Sequence, residues 1–363
     1  MTSPHQPDHT GQPQQPREES RPVRDEDSFD VAALADWLGR GDIAEVRQFP
    51  GGASNLTYLL RMADGADLIL RRPPRGTKAK GAHDMSREYR LQAGLAPVFD
   101  KVAPMVAYAA EDESPIGAEL YVMGRVPGVI PRKDFGFPVT AEQADRLCRT
   151  SVDTLADLHQ IDVAAVPILT ELAKGEGYIE RQMSGWVRRF EAVQTDDLGD
   201  WADVIGWLRA HQPADVAQCL VHNDYRFDNM VLDAEDPTRI VALLDWELAT
   251  VGDPLMELGN TMTYWVQSDD DELAQAFRRQ PTTAPGMWTR RQVVEHYLDR
   301  TGYTPTEKDL SFYEVFGQFR LAVIAQQIWY RYVHKQTTNE AHAVLGAAVA
   351  YMEDRSRRLI DAS

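Results

Sequence analysis

The chain has 363 residues, of which 43% are hydrophobic, and a formal net charge of −18. This length is enough for two domains or lobes. The acidic balance argues against nucleic acid as a main partner, because nucleic-acid binding relies on Lys and Arg contacts to phosphates. The sequence contains no apolar run long enough to cross a bilayer and no apolar signal-peptide segment at its N-terminus. We therefore expect a cytoplasmic protein without membrane contacts, and its two cysteines, Cys148 and Cys219, should be buried and reduced.

The first third of the chain is predicted to be a polar tail followed by a β-rich lobe. Residues 1–27 are rich in Pro, Gln and charged side chains, a composition typical of a disordered tail. Asp30 is placed to cap a helix that Gly39 would end. Strands and one helix are then predicted, and we assign residues 28–126 to an N-terminal nucleotide-binding lobe. The predicted strands cover residues 45–49, 56–62, 67–72, 105–109 and 119–126, and the helix covers 84–96.

From about Thr140 the pattern becomes mainly helical. The segment Thr140-Ala141-Glu142-Gln143 has the form of a capping box, which marks the start of a helix. We assign residues 127–363 to a larger C-terminal lobe that carries the catalytic and substrate-binding groups. The predicted fold class is α+β, with a small β-rich lobe, a large helical lobe and a cleft between them. Later helices are predicted over residues 178–193, 201–211, 254–267, 290–300, 311–332 and 340–360.

The most informative stretch begins at His222 and has the layout of a kinase catalytic core. Asp224 is followed five residues later by Asn229, and Asp245 follows after sixteen more. Phosphoryl transfer needs a carboxylate that accepts the proton of the attacking hydroxyl and oxygen ligands that hold Mg²⁺ on the phosphates. Asp224 suits the first role, and Asn229 and Asp245 suit the second. An ordinary turn is the alternative, because Asp and Asn also favour turns.

The surrounding sequence favours the catalytic interpretation of this stretch. A mostly apolar run from Val216 to Val221 precedes it, and Met230-Val231-Leu232 follows it. A polar turn and the apolar strand 240–244 then lead directly into Asp245. This order predicts a hairpin that brings the two acidic sites close together.

A second group of residues is suited to the nucleotide phosphates. Gly51, Gly52, Ser54 and Asn55 lie in a turn between two predicted strands, where glycines let backbone amides approach phosphates; a plain hairpin turn is the alternative. In the strand 67–72, Ile69 and Arg71 share a face because side chains alternate, so Arg71 rather than Arg72 is chosen as the phosphate-binding cation. Glu88 on the next helix is its expected partner. Alternatively, Glu88 pairs with Arg87 or Arg90 on a solvated face.

These motifs resemble those of the aminoglycoside phosphotransferase-like family, which has the protein-kinase-like fold. One branch is particularly similar, namely the kinase modules fused to, or encoded beside, acyl-CoA dehydrogenases. The resemblance implies an ATP- and Mg²⁺-dependent kinase that phosphorylates a hydroxyacyl-CoA, such as a 4-hydroxyacyl-CoA, and a functional link to an acyl-CoA dehydrogenase. The segments that carry it are residues 51–58, 70–74, 82–89 and 244–254.

The resemblance also implies a role for each matching residue. Asp224 would be the catalytic base, Asn229 and Asp245 the Mg²⁺ ligands, and Arg71 with Glu88 the ion pair that serves the phosphates. The hinge that meets adenine would be formed by Met123, Gly124, Arg125 and Val126. Asp253 would support the catalytic loop and His222 would be structural. The chain departs from the family at Asn223, where Gly is usual, at Gly124, where many relatives carry an acid, and at Trp246-Glu247, which replaces the Phe-Gly of protein kinases.

Three hypotheses about the function and its acceptor are left open. The segment from Arg71 to Lys80 is a dense basic patch that could meet ATP or the phosphates of coenzyme A, although a solvated loop is slightly favoured for such a segment taken alone. This patch favours a hydroxyacyl-CoA over a cationic aminoglycoside, macrolide or other small alcohol. A non-catalytic nucleotide-binding pseudokinase is the third hypothesis, and the presence of Asp224, Asn229 and Asp245 together argues against it.

Overall fold

The computed structural model describes residues 20–50, 55–74 and 84–363. Its backbone contacts divide the chain into two compact units. The first unit comprises the chain up to Ser86 together with Val106–Arg125, and the second comprises Arg87–Met105 and Val126–Ser363. Residues 87–105, which we assigned to the N-terminal lobe from the sequence, therefore belong to the second unit by this division.

The first unit is built on a β-sheet. Its strands are β1 (Arg21–Pro22), β2 (Ile43–Gln48), β3 (Leu56–Met62), β4 (Asp67–Arg72), β5 (Met105–Ala109) and β6 (Leu120–Gly124). The six strands among the described residues lie in the order β1-β2-β3-β4-β6-β5. Alternate residues of β3, β4 and β6 point to one face and form an apolar core with Leu34. The alternation that was used to separate Arg71 from Arg72 on β4 is therefore present in this sheet.

Helix α1 (Val31–Leu38) packs into this core and has the predicted ends. The Asp30 carboxylate accepts a hydrogen bond from the Ala33 N–H at 3.0 Å, as an N-cap residue should. Gly39 ends the helix in the left-handed region, with a φ of 60°.

The prediction of a disordered tail is wrong for residues 20–27, while residues 1–19 lie outside the described part of the chain. The Asp27 carboxylate is buried and accepts hydrogen bonds from Gln48 Nε2 at 2.8 Å and Arg24 Nε at 2.8 Å. Its backbone carbonyl accepts another from Arg72 Nη2 at 2.7 Å. Composition failed here because a polar segment is ordered by partners that are distant in sequence.

The second unit is mainly helical. Its helices are α2 (Met85–Leu95, with its first two residues in the first unit), α3 (Ala141–His159), α4 (Pro167–Leu172), α5 (Tyr178–Glu191), α6 (Ala202–Ala210), α7 (Pro254–Thr263), α8 (Glu272–Phe277), α9 (Arg290–Thr301), α10 (Glu307–Val333) and α11 (Leu345–Asp361). Two antiparallel strand pairs join β7 (Cys219–Val221) to β10 (Thr250–Gly252) and β8 (Met230–Leu232) to β9 (Ile240–Leu243). The predicted α+β fold class is confirmed, and so is the predicted hairpin. The short helices α4 and α8 were not predicted.

Several local predictions hold in this unit. Thr140 and Gln143 form the expected capping box at the start of α3. Cys148 and Cys219 are buried and form no disulfide. Among the described residues, no helix is both long and apolar enough to cross a membrane.

Helices α7 and α10 pack very closely through two glycines. A Cβ atom added to Gly259 on α7 would lie 2.6 Å from the Tyr313 carbonyl oxygen on α10. A Cβ atom added to Gly317 on α10 would lie 2.8 Å from the Gly259 carbonyl oxygen and 2.2 Å from Thr263 Oγ1. Only glycine permits this approach of two backbones.

We predict that Gly259→Ala lowers the free energy of unfolding by about 1–3 kcal/mol, the usual cost of overpacking an interior. The matched control is Gly206→Ala on α6, where an added Cβ meets no atom within 4 Å. That control should raise stability by up to about 1 kcal/mol, because Ala favours the helix over Gly. Urea unfolding of the two variants and the unmodified protein measures both effects. Equal stability of Gly259→Ala and Gly206→Ala would contradict the close packing of α7 on α10.

Candidate active site

Two loops of the second unit carry the predicted base and metal ligands. The first loop, residues 222–229, connects the buried strands β7 and β8, and the second begins at Leu244, directly after β9. The Leu244 N–H donates to the Asn229 carbonyl at 2.8 Å, and the Leu244 carbonyl accepts from His222 Nε2 at 2.9 Å. The two ends of the first loop are therefore both bonded to the residue that precedes Asp245.

Asp224 and Asn229 are held together by direct hydrogen bonds. Asn229 Nδ2 donates to the Asp224 carboxylate oxygen Oδ2 at 2.7 Å and to the Asp224 backbone carbonyl at 2.9 Å. The Asn229 amide nitrogen is thus bonded twice to Asp224, which turns the Oδ1 atom of the same amide to the opposite side. A carboxamide oxygen presented in this way is a ligand type that Mg²⁺ prefers, so Asn229 fits the predicted metal role.

Asp245 occupies a backbone conformation that few residues adopt. Its φ is 64° and its ψ is 61°, in the left-handed region, immediately before the short 3₁₀ turn Trp246–Leu248. Asp and Asn tolerate this region better than other non-glycine residues, and such conformations are concentrated at functional sites. Asp245 therefore leaves the end of the hairpin through a sharp turn, and its role as a metal ligand stays a prediction.

Trp246, which stands where protein kinases have Phe, fills the interior below the two loops. It is buried, and its Nε1–H donates to the Leu243 carbonyl at 3.0 Å. Its ring lies 4.8 Å from the His222 ring and 6.4 Å from the Phe99 ring. Both His222 and Trp246 thus have structural roles: they pack the first loop against the second loop.

Asn223 also has a left-handed backbone, with a φ of 65°. This conformation explains why Asn can replace the glycine that is usual in the family, since Gly and Asn both tolerate a positive φ. The substitution leaves the required backbone path intact.

A buried carboxylate that we did not single out from the sequence, Glu257, holds the start of the first loop. It accepts hydrogen bonds from the backbone N–H groups of both His222, at 2.9 Å, and Asn223. His159 Nε2 lies 2.8 Å from it, and His159 Nδ1 in turn lies 2.6 Å from the Tyr297 hydroxyl. Burial acts to raise the pKa of Glu257, but the hydrogen bond and charge of His159, with further help from His222, lower it overall.

Asp253 supports the loop less directly than the resemblance implies. Its Oδ1 atom caps α7 by accepting the Met256 N–H at 2.9 Å, and its Oδ2 atom accepts the Val216 N–H at 2.8 Å. Burial raises the pKa of Asp253 in spite of these bonds. The sequence signal that could have revealed Glu257 is its position one turn after Asp253, as the one charged residue of the helix Pro254–Thr263.

Arg226 adds a positive charge beside Asp224. Its Nε atom lies 3.0 Å from Asp224 Oδ1, and its Nη2 atom lies 3.4 Å from Asp228 Oδ2. The guanidinium carbon is 4.8 Å from the centre of the Tyr264 ring, a cation–π distance. Burial raises the pKa of Asp228, whereas Arg226 has a raised pKa because the two carboxylates outweigh the effect of its own burial.

The predicted phosphate-binding residues can be placed separately in the two units. In the first unit, Arg72 is buried and donates to the Tyr58 hydroxyl and to the Asp27 carbonyl, so it has a structural role. Arg71 lies on the other face of β4, where its Nη1 atom is 3.3 Å from the Tyr121 hydroxyl. In the second unit, Glu88 on α2 is buried, which removes the alternative of a solvated face. The pairing of Arg71 with Glu88 stays a prediction.

The remaining nucleotide-side residues are only partly described. Gly51, Gly52 and Ser54 lie outside the described residues, as do Arg75 to Lys80 of the basic segment. Asn55 is buried just before β3. Met123 and Gly124 end β6, opposite Ile69 and Leu68 of β4. The boundary between the two units falls between Arg125 and Val126, within the predicted hinge.

The fold and these loops agree with comparisons to known proteins. A family model described as the APH phosphotransferase enzyme family matches residues 45–293. Because this match covers more than half of the chain, the chain belongs to that family. It is a kinase-type phosphotransferase with the kinase-like fold.

Three individual proteins show this similarity in more detail. Mouse acyl-CoA dehydrogenase family member 10 is 32% identical over 328 residues, which cover 88% of this chain and 30% of the mouse protein. Mouse acyl-CoA dehydrogenase family member 11 is 30% identical, over 86% of this chain and 41% of the mouse protein. The chain thus spans less than half the length of these relatives. A crystal structure of a Ralstonia eutropha protein classed among the aminoglycoside phosphotransferases is 28% identical, with a TM-score of 0.77, and covers 92% of this chain and 98% of its own.

We predict that Glu257→Gln lowers the free energy of unfolding at pH 7 by about 1–3 kcal/mol, because at least one buried N–H loses its acceptor. The pKa of Glu257 is below its ordinary value of 4.5 in the folded protein. Its charge therefore contributes full stability above pH 4.5, and that contribution is lost as the pH falls through the folded pKa. The difference between the two proteins should accordingly shrink in acid. Urea unfolding from pH 7 downward measures it, and a difference that grew as the pH fell would contradict the assignment.

Proposed function

We propose that this protein transfers the γ-phosphoryl group of ATP to a substrate hydroxyl, with Asp224 as the general base and Asn229 and Asp245 as the Mg²⁺ ligands. The observation that carries the proposal is the bonded pair of Asp224 and Asn229, joined through Leu244 to Asp245. The three side chains are the carboxylate and oxygen donors that phosphoryl transfer requires. Their loops are anchored to each other by the hydrogen bonds that Asn229 and His222 make with Leu244.

The residues of the chain would divide the work as follows. The Asp224 carboxylate orients the acceptor hydroxyl and takes its proton as the oxygen attacks. Asn229 Nδ2 and Arg226 Nη2 both donate to Asp224 Oδ2, which would hold the carboxylate in a fixed direction and leave Oδ1 to accept from the hydroxyl. Bound Mg-ATP would supply the phosphoryl group and the metal charge that neutralises its oxygens. The catalytic effect of the protein is then mainly one of positioning.

On the nucleotide side the proposal follows the sequence. Arg71 would pair with the phosphates and Glu88 would orient it. The turn that contains Gly51, Gly52, Ser54 and Asn55 would cover the phosphates with backbone amides. The segment Met123 to Val126 would meet the adenine through its backbone.

The acceptor we propose is a hydroxyacyl-CoA of the 4-hydroxyacyl type. Two observations support this choice: the identity to relatives named as acyl-CoA dehydrogenase family members, and the basic segment in an otherwise acidic chain. A CoA thioester carries phosphates that such a segment can bind, and that binding energy can help to position the hydroxyl beside Asp224. We also propose that the product passes to dehydrogenase-type chemistry.

An aminoglycoside or related small alcohol is the second candidate. The similarity to the Ralstonia eutropha protein, over almost the whole of both chains, favours it. A cationic acceptor would call for an acidic binding surface rather than a basic segment.

We predict that Asp224→Asn lowers kcat by about 10² to 10⁴, the usual contribution of a general base. Asn has the same shape and can still accept the hydrogen bond from Asn229, so Mg-ATP affinity should change little. Glu235→Gln, which removes one acid from the exposed turn between β8 and β9, is the matched control. Initial rates and calorimetric titration with Mg-ATP provide the two measurements. Unimpaired turnover in Asp224→Asn would rule out Asp224 as the base.

We predict that a 4-hydroxyacyl-CoA is used with a kcat/KM at least about tenfold above that of the free 4-hydroxy acid, since one charge-assisted hydrogen bond to a CoA phosphate is worth that much. Product mass spectrometry and ADP release would be followed for both compounds and for kanamycin. Rising salt should raise the KM for the acyl-CoA, because exposed charges are screened. Phosphorylation of kanamycin with no turnover of the acyl-CoA would favour the second candidate instead.

A further inference from the structure

Asn223, the residue next to the proposed base, makes an unusual set of contacts. Its backbone N–H donates to Glu257, and its backbone carbonyl accepts from Arg320 Nη2 at 3.1 Å. Its side-chain oxygen accepts a hydrogen bond from the Tyr178 hydroxyl at 3.3 Å. Its side-chain Nδ2 donates to the Leu248 carbonyl at 3.0 Å. The backbone and the side chain of Asn223 are therefore both held, on four sides.

The bond to Leu248 joins two segments that do different work. Leu248 ends the 3₁₀ turn that begins directly after Asp245, whereas Asn223 precedes Asp224. Hydrogen bonds to the Leu244 backbone, from the His222 ring and to the Asn229 carbonyl, already connect the loops before Asp245. The Asn223 side chain connects them after Asp245, so the proposed metal ligand is bracketed on both sides.

A glycine at this position would keep the backbone but lose the bracket. The left-handed φ of 65° and the N–H bond to Glu257 need no side chain. The bond to Leu248 and the bond from Tyr178 both need the carboxamide. Asn223 therefore adds two side-chain hydrogen bonds that the backbone conformation of the loop does not require.

The neighbours of Asn223 fix the direction of its amide. Because the Tyr178 hydroxyl donates to the oxygen, the NH₂ group is turned toward Leu248. Arg320 is buried, and its guanidinium lies 5.3 Å from the centre of the Trp186 ring, so the group that holds the Asn223 carbonyl is itself packed in place. The buried Tyr178 hydroxyl thus orients the side-chain amide, and the buried Arg320 holds the backbone carbonyl.

We propose that Asn223 is a positioning residue that fixes the Asp245 loop relative to the Asp224 loop, and so sets the affinity of the site for the Mg²⁺-bound nucleotide. The proposal rests on the proposed function, in which Asp245 is a metal ligand. It assigns Asn223 no contact with the reacting atoms. Its effect is to restrict the loop that carries Asp245 between the bonds at Leu244 and strand β10, which pairs with β7.

The experiment compares Asn223→Gly with the unmodified protein and with Tyr178→Phe. Asn223→Gly keeps the backbone and removes the bond to Leu248, whereas Tyr178→Phe removes the tyrosine hydroxyl and leaves that bond possible. In the absence of ligands, hydrogen exchange followed by mass spectrometry should show faster exchange of the peptide that covers residues 245–249 in Asn223→Gly. Exchange of the β8–β9 hairpin should be unchanged and serves as the internal reference.

Nucleotide binding gives the second measurement. Affinity for ATP with Mg²⁺ should fall by about two- to tenfold in Asn223→Gly, the range that one hydrogen bond of ordinary net strength produces. Affinity for ATP without Mg²⁺ should stay the same, and Tyr178→Phe should show a smaller loss than Asn223→Gly. A loss of global stability alone would lower both affinities together.

The outcomes separate this proposal from the proposed function. If the unmodified protein fails to bind Mg-ATP, the proposed function is wrong, and the exchange measurement still decides whether Asn223 restrains the second loop. If the unmodified protein binds Mg-ATP and Asn223→Gly matches it in both exchange and Mg²⁺-dependent affinity, the positioning role of Asn223 is wrong. Faster exchange together with a loss confined to the Mg²⁺-bound nucleotide supports it.

Discussion

The arrangement of the site depends on one buried carboxylate. Glu257 lies in the interior of the second unit and accepts hydrogen bonds from the N–H groups of two successive loop residues, His222 and Asn223. Burying a charge costs roughly several kcal/mol of hydration free energy, unless hydrogen bonds in the interior replace the lost contacts with water. Here the compensating donors are two backbone N–H groups of the first loop, residues 222–229, and the ring of His159. The loop is therefore fixed by the requirement that this charge be satisfied.

This constraint acts on the backbone, which leaves the side chains of the loop for chemistry. His222 packs inward against Trp246 and donates a hydrogen bond to the Leu244 carbonyl. The position of the second loop is therefore set by that of the first. Asp224 is then oriented by Asn229 and Arg226, and Asp245 follows in its left-handed turn. The close approach of α7 and α10 at Gly259 and Gly317 belongs to the same arrangement, because α7 carries Glu257 and α10 carries Arg320.

Much of this site could be predicted from the sequence because its chemistry is local. The spacing of Asp224, Asn229 and Asp245 on the two sides of one hairpin is readable along the chain, and so are the caps at Asp30 and Thr140. Glu257 could not be placed in the same way, since its partners His159 and His222 are 98 and 35 residues away. The order of residues 20–27 was missed for a similar reason, because Asp27 depends on Arg72 and Gln48. The local sequence around a buried polar group does not indicate which distant residue is its partner.

The central claim is that buried Glu257 holds the start of the first loop, residues 222–229, in place before any ligand binds. Amide hydrogen exchange of His222 and Asn223, measured by NMR on the ligand-free protein, tests it most directly. The account predicts that both amides exchange as slowly as those of the buried strand β7, since both donate to a buried acceptor. Rapid exchange of these two amides, slowed only when Mg-ATP is added, would contradict it and would mean that the ligand itself orders the loop.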